Sequence, residues 1–503
     1  MWVSRTASDV RVVTHYLGVL IVVIGAVMCL PLITALVLAE WAPALDYVCG
    51  VGIAFAIGAW LMTAAPSGTR LGTGNAMLVT ALAWLAAALV AAIPLALSGN
   101  YGSYLDAFFD SMSGLTTSGL TLVQDLDHMA NSHNMWRHLT HLLGGQGIIV
   151  AALSFALAKG GGAVSLYSAE GRDEKILPNV MHTARFIWFV TAVYVAVGTL
   201  ALSALNLVLG MDVIRGTLHA FWATIACYDT GGFGPQSQNA LYYHSAWFEG
   251  VTVILMLAGT LNFSLHADIW RGDRGEVFRN TEARTLATNI AILSVVVGIG
   301  LAATSAFTGG WEIVRKGVYH VLSANTGTGH QSIYPLQWGR DYGGLGFAAV
   351  VLAMAFGGMM SSTAGGIKSL RVSLIIKGVT LRVRESLAPS TAALRAKYHH
   401  MVDQILTPQV LSSALMISVL YVVTYVSGAL VGTALGYGAG ESLFESVSAA
   451  ANVGLSAGIT SPTMPWLLKI VYIVQMWAGR LEFIALFALV ASVALAFRRR
   501  SAR

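Results

Sequence analysis

The strongest constraint on this chain is the recurrence of stretches without a charged side chain that are long enough to cross a lipid bilayer. Residues 16–39, 47–69, 71–105, 142–158, 186–211, 250–265, 285–311, 342–367 and 404–440 contain no Asp, Glu, Lys or Arg. A further run, 466–497, is interrupted only by Lys469, Arg480 and Glu482. The hydrocarbon core takes about 20 mostly apolar residues to cross, so the runs predict ten spans, with a turn near Ser98-Gly99-Asn100 inside the long one. Composition agrees, since 11% of the 503 residues are charged against about 25% in soluble domains. A soluble enzyme of this kind would expose too much apolar surface, and a disordered chain needs the opposite balance. A net charge of +5 is no nucleic-acid footprint. Cys29, Cys49 and Cys227 sit in apolar or near-apolar stretches, which indicates neither a disulfide framework nor a zinc site. The first 15 residues lack a cleavable signal pattern, so the first span is expected to stay.

Lys and Arg mark the cytoplasmic side. They gather in the tail Arg498-Arg499-Arg500-Ser501-Ala502-Arg503 and in 368–403, which holds Lys368, Arg371, Lys377, Arg382, Arg384, Arg395 and Lys397. Asp106, Asp110, Asp125, Asp127, Asp229, Glu441 and Glu445 fall in the opposite loops, several of them expected at the outer mouth. Ten spans with both termini in the cytoplasm put every basic segment on one side. Segments 159–185, 266–284 and 368–403 then offer charged docking surfaces.

A fourfold repeat runs through these spans. Phe109 precedes Gly119 by ten residues, as Phe221 precedes Gly231, Tyr319 precedes Gly329 and Phe444 precedes Gly454. Each segment lies in an outside loop between two spans, which predicts four units of span, short helix, glycine turn and span after an extra N-terminal pair. Glycine permits φ > 0 and close backbone approach. Irregular backbone survives at membrane depth only where protein buries it or water lines it. Four such turns around one axis would offer carbonyls in place of a cation's hydration shell, with short-helix C-termini aimed at the same axis. The physical reading is a cation pore.

At this point the chain resembles a known family. The segment FFDSMSGLTTSG from Phe108, Trp136-Arg137, Gly144-Gly145-Gln146-Gly147-Ile148-Ile149-Val150, Leu166-Tyr167-Ser168-Ala169-Glu170, Ser361-Ser362-Thr363-Ala364-Gly365-Gly366-Ile367-Lys368 and Gly479-Arg480-Leu481-Glu482 occur in order over nearly the full length. Together they resemble the Trk/Ktr/HKT superfamily of potassium transporters, in particular its bacterial TrkH-type subunits. The fold implied is an all-α membrane protein with ten transmembrane helices and four re-entrant pore helices. Its parts would be 1–70 (the extra pair), 71–165 (filter 116–120), 166–275 (filter 228–232), 276–400 (filter 326–330, gating loop 357–368) and 401–503 (filter 451–455).

The resemblance implies potassium held by backbone carbonyls at Thr117, Ser118 and Gly119; Asp229, Thr230 and Gly231; Gly327, Thr328 and Gly329; and Asn452, Val453 and Gly454. Leu120, Gly232, His330 and Leu455 would follow at the outer mouth. Serine at the first filter glycine goes with sodium preference in the plant branch, so glycine at all four positions favours potassium. Asp229 and His330 depart from the small or aromatic residues expected there. The run Gly357, Gly358, Ser361, Ser362, Thr363, Ala364, Gly365 and Gly366 loses about 1 kcal/mol of helix propensity at each glycine. It reads either as close helix packing or as a break, and the resemblance implies an intramembrane gate closed by Lys368. Arg480 lies in an apolar helix, where a charge is costly. Its alternatives are an ion pair with another helix or a barrier beneath the filter, the role the resemblance implies; Glu482, two residues on, faces elsewhere.

Other features carry less. His138 and His141 share a helix face without further metal donors, His399-His400 is expected to be solvated, and Gly160-Gly161-Gly162 follows no strand. No paired carboxylates, nucleophile–base pair or His/Glu set supports a membrane hydrolase, so the chain is expected not to be an enzyme and to hold no transition metal or cofactor. A symporter coupled to sodium or protons is the alternative, but four same-sense units are not its inverted pair. The resemblance further implies the inner (plasma) membrane, a homodimer, and a cytosolic TrkA-like regulatory subunit that binds ATP/ADP or NAD.

Overall fold

The computed structural model describes residues 7–65, 72–148, 150, 180–307, 309–389 and 394–500. The 166–170 motif, the glycine triplet 160–162, the boundaries near 70 and 165, most of the 142–158 run and the tail beyond residue 500 lie outside the described residues.

Among the described residues the chain is mostly helical. An opening pair, α1 (Ala7–Val37) and α2 (Trp41–Met62), precedes α3 (Thr73–Leu97), the short α4 (Tyr104–Leu115) and α5 (Asn131–Gln146). The same order returns in α6 (Val180–Val208), α7 (Val213–Tyr228) and α8 (Ala246–Thr260), which is followed by α9 (Phe263–Arg271). It returns again in α10 (Thr281–Thr304), α11 (Gly310–Asn325) and α12 (Gly343–Ala355), then in α14 (Pro408–Ala434), α15 (Ala439–Ala450) and α16 (Trp466–Arg480). Between these last two units runs α13 (Ser369–Leu387), and α17 (Ile484–Arg500) closes the chain. Among the described residues, six helices (α1, α2, α3, α6, α10 and α14) are long and apolar enough to cross a membrane.

The shorter members explain why charge-free runs misplaced some elements. The first unit's last helix starts at Asn131 rather than near Leu142, and it buries His133, Arg137, His138 and His141. Its first amides are held by Glu40 from the α1–α2 turn, which accepts from Asn131 N (2.9 Å) and Ser132 N (3.0 Å). Polar residues that read as outside loop are thus part of the bundle interior.

Each unit's last helix is broken at its end. α8 and α9 meet at 102°, and α16 and α17 at 114°. Glu482 and Phe483, between the latter two, have φ of 49° and 69°. α5 ends at Gly147, with φ 91°. α12 gives way to an irregular loop whose ends pair as two short parallel strands, β1 (Phe356–Gly357) and β2 (Ile367–Lys368). Beyond α13, β3 (Lys397–His400) and β4 (Val402–Ile405) form an antiparallel hairpin.

The opening pair packs on the first unit. Gly18 and Gly58 let α1 and α2 approach until a Cβ on Gly18 would sit 2.7 Å from the Gly58 carbonyl oxygen, the use small residues have between membrane helices. Tyr47, Trp84, Phe109 and Trp136 fill the core there, and Trp338, Tyr342, Tyr421 and Phe444 fill that of the third and fourth units.

Candidate functional site

The four short helices α4, α7, α11 and α15 end alike. A left-handed residue follows each C-cap: Thr117 (φ 56°), Thr230 (49°), Gly327 (74°) and Asn452 (55°). The next amide reaches back five residues, in Ser118 N→Ser113 O (2.8 Å), Gly231 N→Ala226 O (2.8 Å), Thr328 N→Ser323 O (2.9 Å) and Val453 N→Ser448 O (2.9 Å). The left-handed amides bond three residues back, to Gly114, Cys227, Ala324 and Ala449. This is the Schellman ending, made four times. Threonine in that conformation is uncommon and strained, and two of the four ends use it.

Two residues later each loop has a glycine at positive φ: Gly119 (78°), Gly232 (80°), Gly329 (78°) and Gly454 (100°). A side chain on Gly119 would strike the Gly231 carbonyl, one on Gly232 that of Thr328, one on Gly329 that of Val453, and one on Gly454 that of Ser118. Each loop abuts the next in chain order and the fourth returns to the first. The four loops form a closed ring.

This geometry corrects the second loop by one residue. Its members equivalent to Thr117, Ser118 and Gly119 are Thr230, Gly231 and Gly232, not Asp229, Thr230 and Gly231. Phe221-Trp222 and Gly231-Gly232 are doublets, so the ten-residue spacing fits two registers, and the structure takes Trp222 with Gly232. Asp229 is then the C-cap residue, buried behind the ring, where its Oδ1 accepts from Gln146 Nε2 (2.8 Å). Phe233, rather than Gly232, occupies the position of Leu120, His330 and Leu455. His330 is buried, its ring 3.6 Å from Cys227 Sγ.

Most of the acids expected at the mouth are structural. Asp110 is buried with Arg137 (3.0 Å), Asp106 with Lys469 (2.5 Å), and Glu445 accepts from Ser456, Thr460 and the amides of the loop after Asn452-Val453-Gly454. Glu441 is exposed and Asp125 binds His128. Asp127 accepts from Ser237 N (2.8 Å), which ties the first unit to the second.

Beneath the ring lies the loop from Phe356 to Lys368. Glycine at 357 and 365 is required by contact, because a Cβ on Gly357 would overlap the Gly365 carbonyl and one on Gly365 would strike the Ala451 carbonyl. Thr363 Oγ1 accepts from Thr230 Oγ1 (3.0 Å) and donates to the Gly259 carbonyl (2.9 Å). Ala364 and Gly365 lie against Gly327, and Gly365 against Asn452. Arg480 supplies the fourth link, with its guanidinium donating to Thr117 Oγ1 (3.2 Å), to Thr363 O (2.7 Å) and to Gly144 O. The loop therefore touches the left-handed residue of every unit, directly or through Arg480. Gly358 packs on Thr260, and Gly366 takes φ 72°.

Lys368 is buried and donates to Ala364 O, closing the loop on itself. Arg371 pairs with Glu482 in the α16–α17 break, which answers where the acid two residues from Arg480 points. Glu282 Oε1 accepts from Met360 N (2.5 Å) and Leu370 N (3.3 Å), so α10 holds the loop and the first turn of α13 together. A cavity of ≈ 40 Å³ between the loop and the α16–α17 break is lined by Trp84, Lys368, Arg480 and Glu482 among others, room for a few waters.

Residues to which the sequence reading gave no part in the filter complete the ring's support. His138 faces the Phe233 carbonyl (3.3 Å) and stacks on Trp222, while His141 Nε2 accepts from Phe233 N (3.3 Å). The helical pair has a structural task at the second loop. His399 and His400, expected in solvent, are half-buried: His399 lies between Asp403 (2.6 Å) and Glu276 (3.0 Å), and His400 is 3.7 Å from Glu282.

Known proteins resemble the chain over nearly its full length. The family model described as TrkH, cation transport protein, matches residues 48–309 and 310–496. The Trk system potassium uptake protein TrkH of Halomonas elongata is 30% identical over 391 residues, 76% of this chain and 78% of that one. An uncharacterized cation transporter of Methanocaldococcus jannaschii is 28% identical over 492 residues, with 97% of both chains covered. The crystal structure of the potassium transporter TrkH from Vibrio parahaemolyticus superposes with TM-score 0.82 at 22% identity, covering 95% of this chain and 98% of that one.

Proposed function

The chain belongs to the TrkH family of cation transport proteins, and from that premise we propose that it takes up potassium through the axis of its four-loop ring. It is a transporter rather than an enzyme. The observation that carries the reading is the closure of four equivalent glycine loops, each abutting the next. Backbone carbonyls of Thr117, Ser118 and Gly119, Thr230, Gly231 and Gly232, Gly327, Thr328 and Gly329, and Asn452, Val453 and Gly454 replace the hydration shell of the ion. The C-terminal ends of α4, α7, α11 and α15 add partial negative charge toward them. No reacting group is needed, because the membrane potential supplies about 2.3 kcal/mol per charge per 100 mV.

In this reading the chain makes ten spans and four re-entrant helices in the cell inner membrane, with both termini in the cytoplasm. The 356–368 loop is the gate, and Arg480 places a fixed positive charge between it and the filter. Gly357, Gly358, Gly365 and Gly366 allow its backbone to pack so closely, and Thr363, Ala364 and Lys368 hold its shape. A homodimer regulated by a cytosolic TrkA-like, nucleotide-binding subunit completes the assembly. The support for that last step is the set of relatives named for a Trk potassium uptake system.

The test is growth of a potassium-uptake-deficient host on limiting potassium. Wild type, with its matched regulator, is expected to restore growth. Gly119→Ser is expected to lose most of that rescue, since φ 78° and the Gly231 carbonyl leave a side chain no place. Wild type that reaches the membrane in normal amounts and rescues nothing overturns the proposal.

A further inference from the structure

The glycine doublet leaves the second loop a choice that the other loops lack. Gly231 and Gly232 both tolerate left-handed backbone, so a slip of one residue meets little local resistance. Something outside the loop has to select the register, and the neighbouring helix α5 does so at three points on Phe233.

Phe233 immediately follows Gly232. Its amide donates to His141 Nε2 (3.3 Å), its carbonyl faces His138 Nε2 (3.3 Å), and its ring lies under the Arg137 guanidinium, 4.1 Å from the guanidinium carbon. The His141 ring centroid is 4.2 Å from that of Phe233. A side chain on Gly231 would run into the His141 ring, so the imidazole also fills the space a slipped loop would need.

Arg137 joins this grip to the first loop. Its Nε donates to Asp110 Oδ2 (3.0 Å) and a terminal nitrogen to Thr121 Oγ1 (3.1 Å), two residues past Gly119. Thr121 in turn donates to Asp110 Oδ1 (2.5 Å), and another nitrogen of Arg137 holds Asn134 Oδ1 (3.2 Å). Both Arg137 and Asp110 side chains are fully buried. A planar cation meets three oxygens at its edge and an aromatic ring at its face; lysine retains only the charge.

We propose that Arg137, with His138 and His141, is a specificity-determining positioning residue: it locks the second loop in the Gly232 register and couples it to the first. This rests on the ring being the ion path. A slipped loop would turn different carbonyls to the axis and change their spacing, which discrimination between potassium and sodium depends on.

The experiment measures potassium and sodium uptake by the full chain in proteoliposomes, for wild type, Phe233→Leu and Arg137→Lys. Phe233→Leu leaves every buried charge paired, so it remains informative if Arg137→Lys does not fold. Potassium-over-sodium preference is expected to fall about tenfold in each variant while total flux persists, and the double variant should lose no more than the larger single loss. An unchanged ratio in Phe233→Leu, beside selective wild-type uptake, overturns the proposal and leaves the transport reading standing. Wild-type liposomes that take up neither ion overturn the transport reading and this inference with it.

Discussion

At the scale of single residues, Arg480 is the group whose removal should be most informative. Its guanidinium occupies the gap between the ring and the loop below, bonded to Thr117, Thr363 and Gly144 and 5.4 Å from the Trp84 ring centre. A fixed positive charge opposes a cation in low dielectric, and the same group ties the loop to the first unit. Arg480→Ala removes both, so potassium flux in proteoliposomes is expected to rise several-fold at low external potassium. A potassium titration that superimposes on wild type would dismiss the barrier. Arg480 could be read from sequence because a charge inside an apolar helix is conspicuous. Arg137 shows only as part of the Trp136-Arg137 motif and its burial does not show, because it stands among Asn, Ser and three His in a stretch that looks like solvent-facing loop. Its burial depends on Asp110, 27 positions earlier. The second register was ambiguous for a related reason: the pattern of aromatic and glycine ten apart is local, whereas the contacts that select Gly232 come from another unit.

Among the elements, the hairpin β3–β4 shows how a basic segment acquires structure. Residues 397–405 offer one well-buried apolar anchor, Tyr398, which packs with Leu374, Leu406 and Ala414. The rest of the docking is polar. His399 bridges Asp403 and the short helix Glu276–Arg279, where Arg279 also approaches Glu276 (3.7 Å), and Thr281 Oγ1 accepts from His399 N. The two carboxylates hold the His399 imidazolium above its ordinary 6.5, first through the bond to Asp403 and then through that to Glu276. Because the docked value is raised, this stabilisation is complete below pH 6.5 and is lost as pH rises through the raised value. Asp403, held below 3.8 by the same bond, loses its share only as pH falls through that lowered value. Such solvent-screened pairs are individually weak. Hydrogen-exchange protection across 397–405, corrected for intrinsic rates, should therefore fall up to about fivefold from pH 6 to pH 8.5. His399→Gln should flatten the profile, and an equal fall in that variant would assign the pH dependence to another group. The pattern of units was legible where apolar length decides it, as in α1, α3, α6, α10 and α14. The hairpin was not, because its polar partners Glu276 and Thr281 sit more than a hundred residues away in chain order.

For the whole molecule, the decisive property is that four units drawn from one chain must meet around a ring without a fixed symmetry operator. Identical subunits would repeat one interface; here each junction is built from different residues. The second and third units are joined by Glu249 with Arg315 (2.6 Å) and Lys316 (3.7 Å). The fourth closes on the first through Asn452 Nδ2→Ser118 Oγ (2.8 Å) and Lys469–Asp106 (2.5 Å), groups more than 300 residues apart in sequence. That last pair is buried, with 9% and 5% side-chain exposure. Removing one member of a buried pair costs about 3–5 kcal/mol, because the other is left charged and dry. Asp106 lies in the first turn of α4, where the helix N-terminus partly compensates a carboxylate, so the lower end of that range is expected for Lys469→Met. Thermal unfolding of the purified protein in detergent should show the loss, and Lys469→Met with Asp106→Asn should recover most of it. The recovery separates a charge left unpaired from a closure that needs the ion pair itself. If the double variant stays as unstable as the single one, the Lys469–Asp106 bond is a requirement for closing the ring; if both match wild type, the fourth junction is held by the packing of α16 on α4 alone.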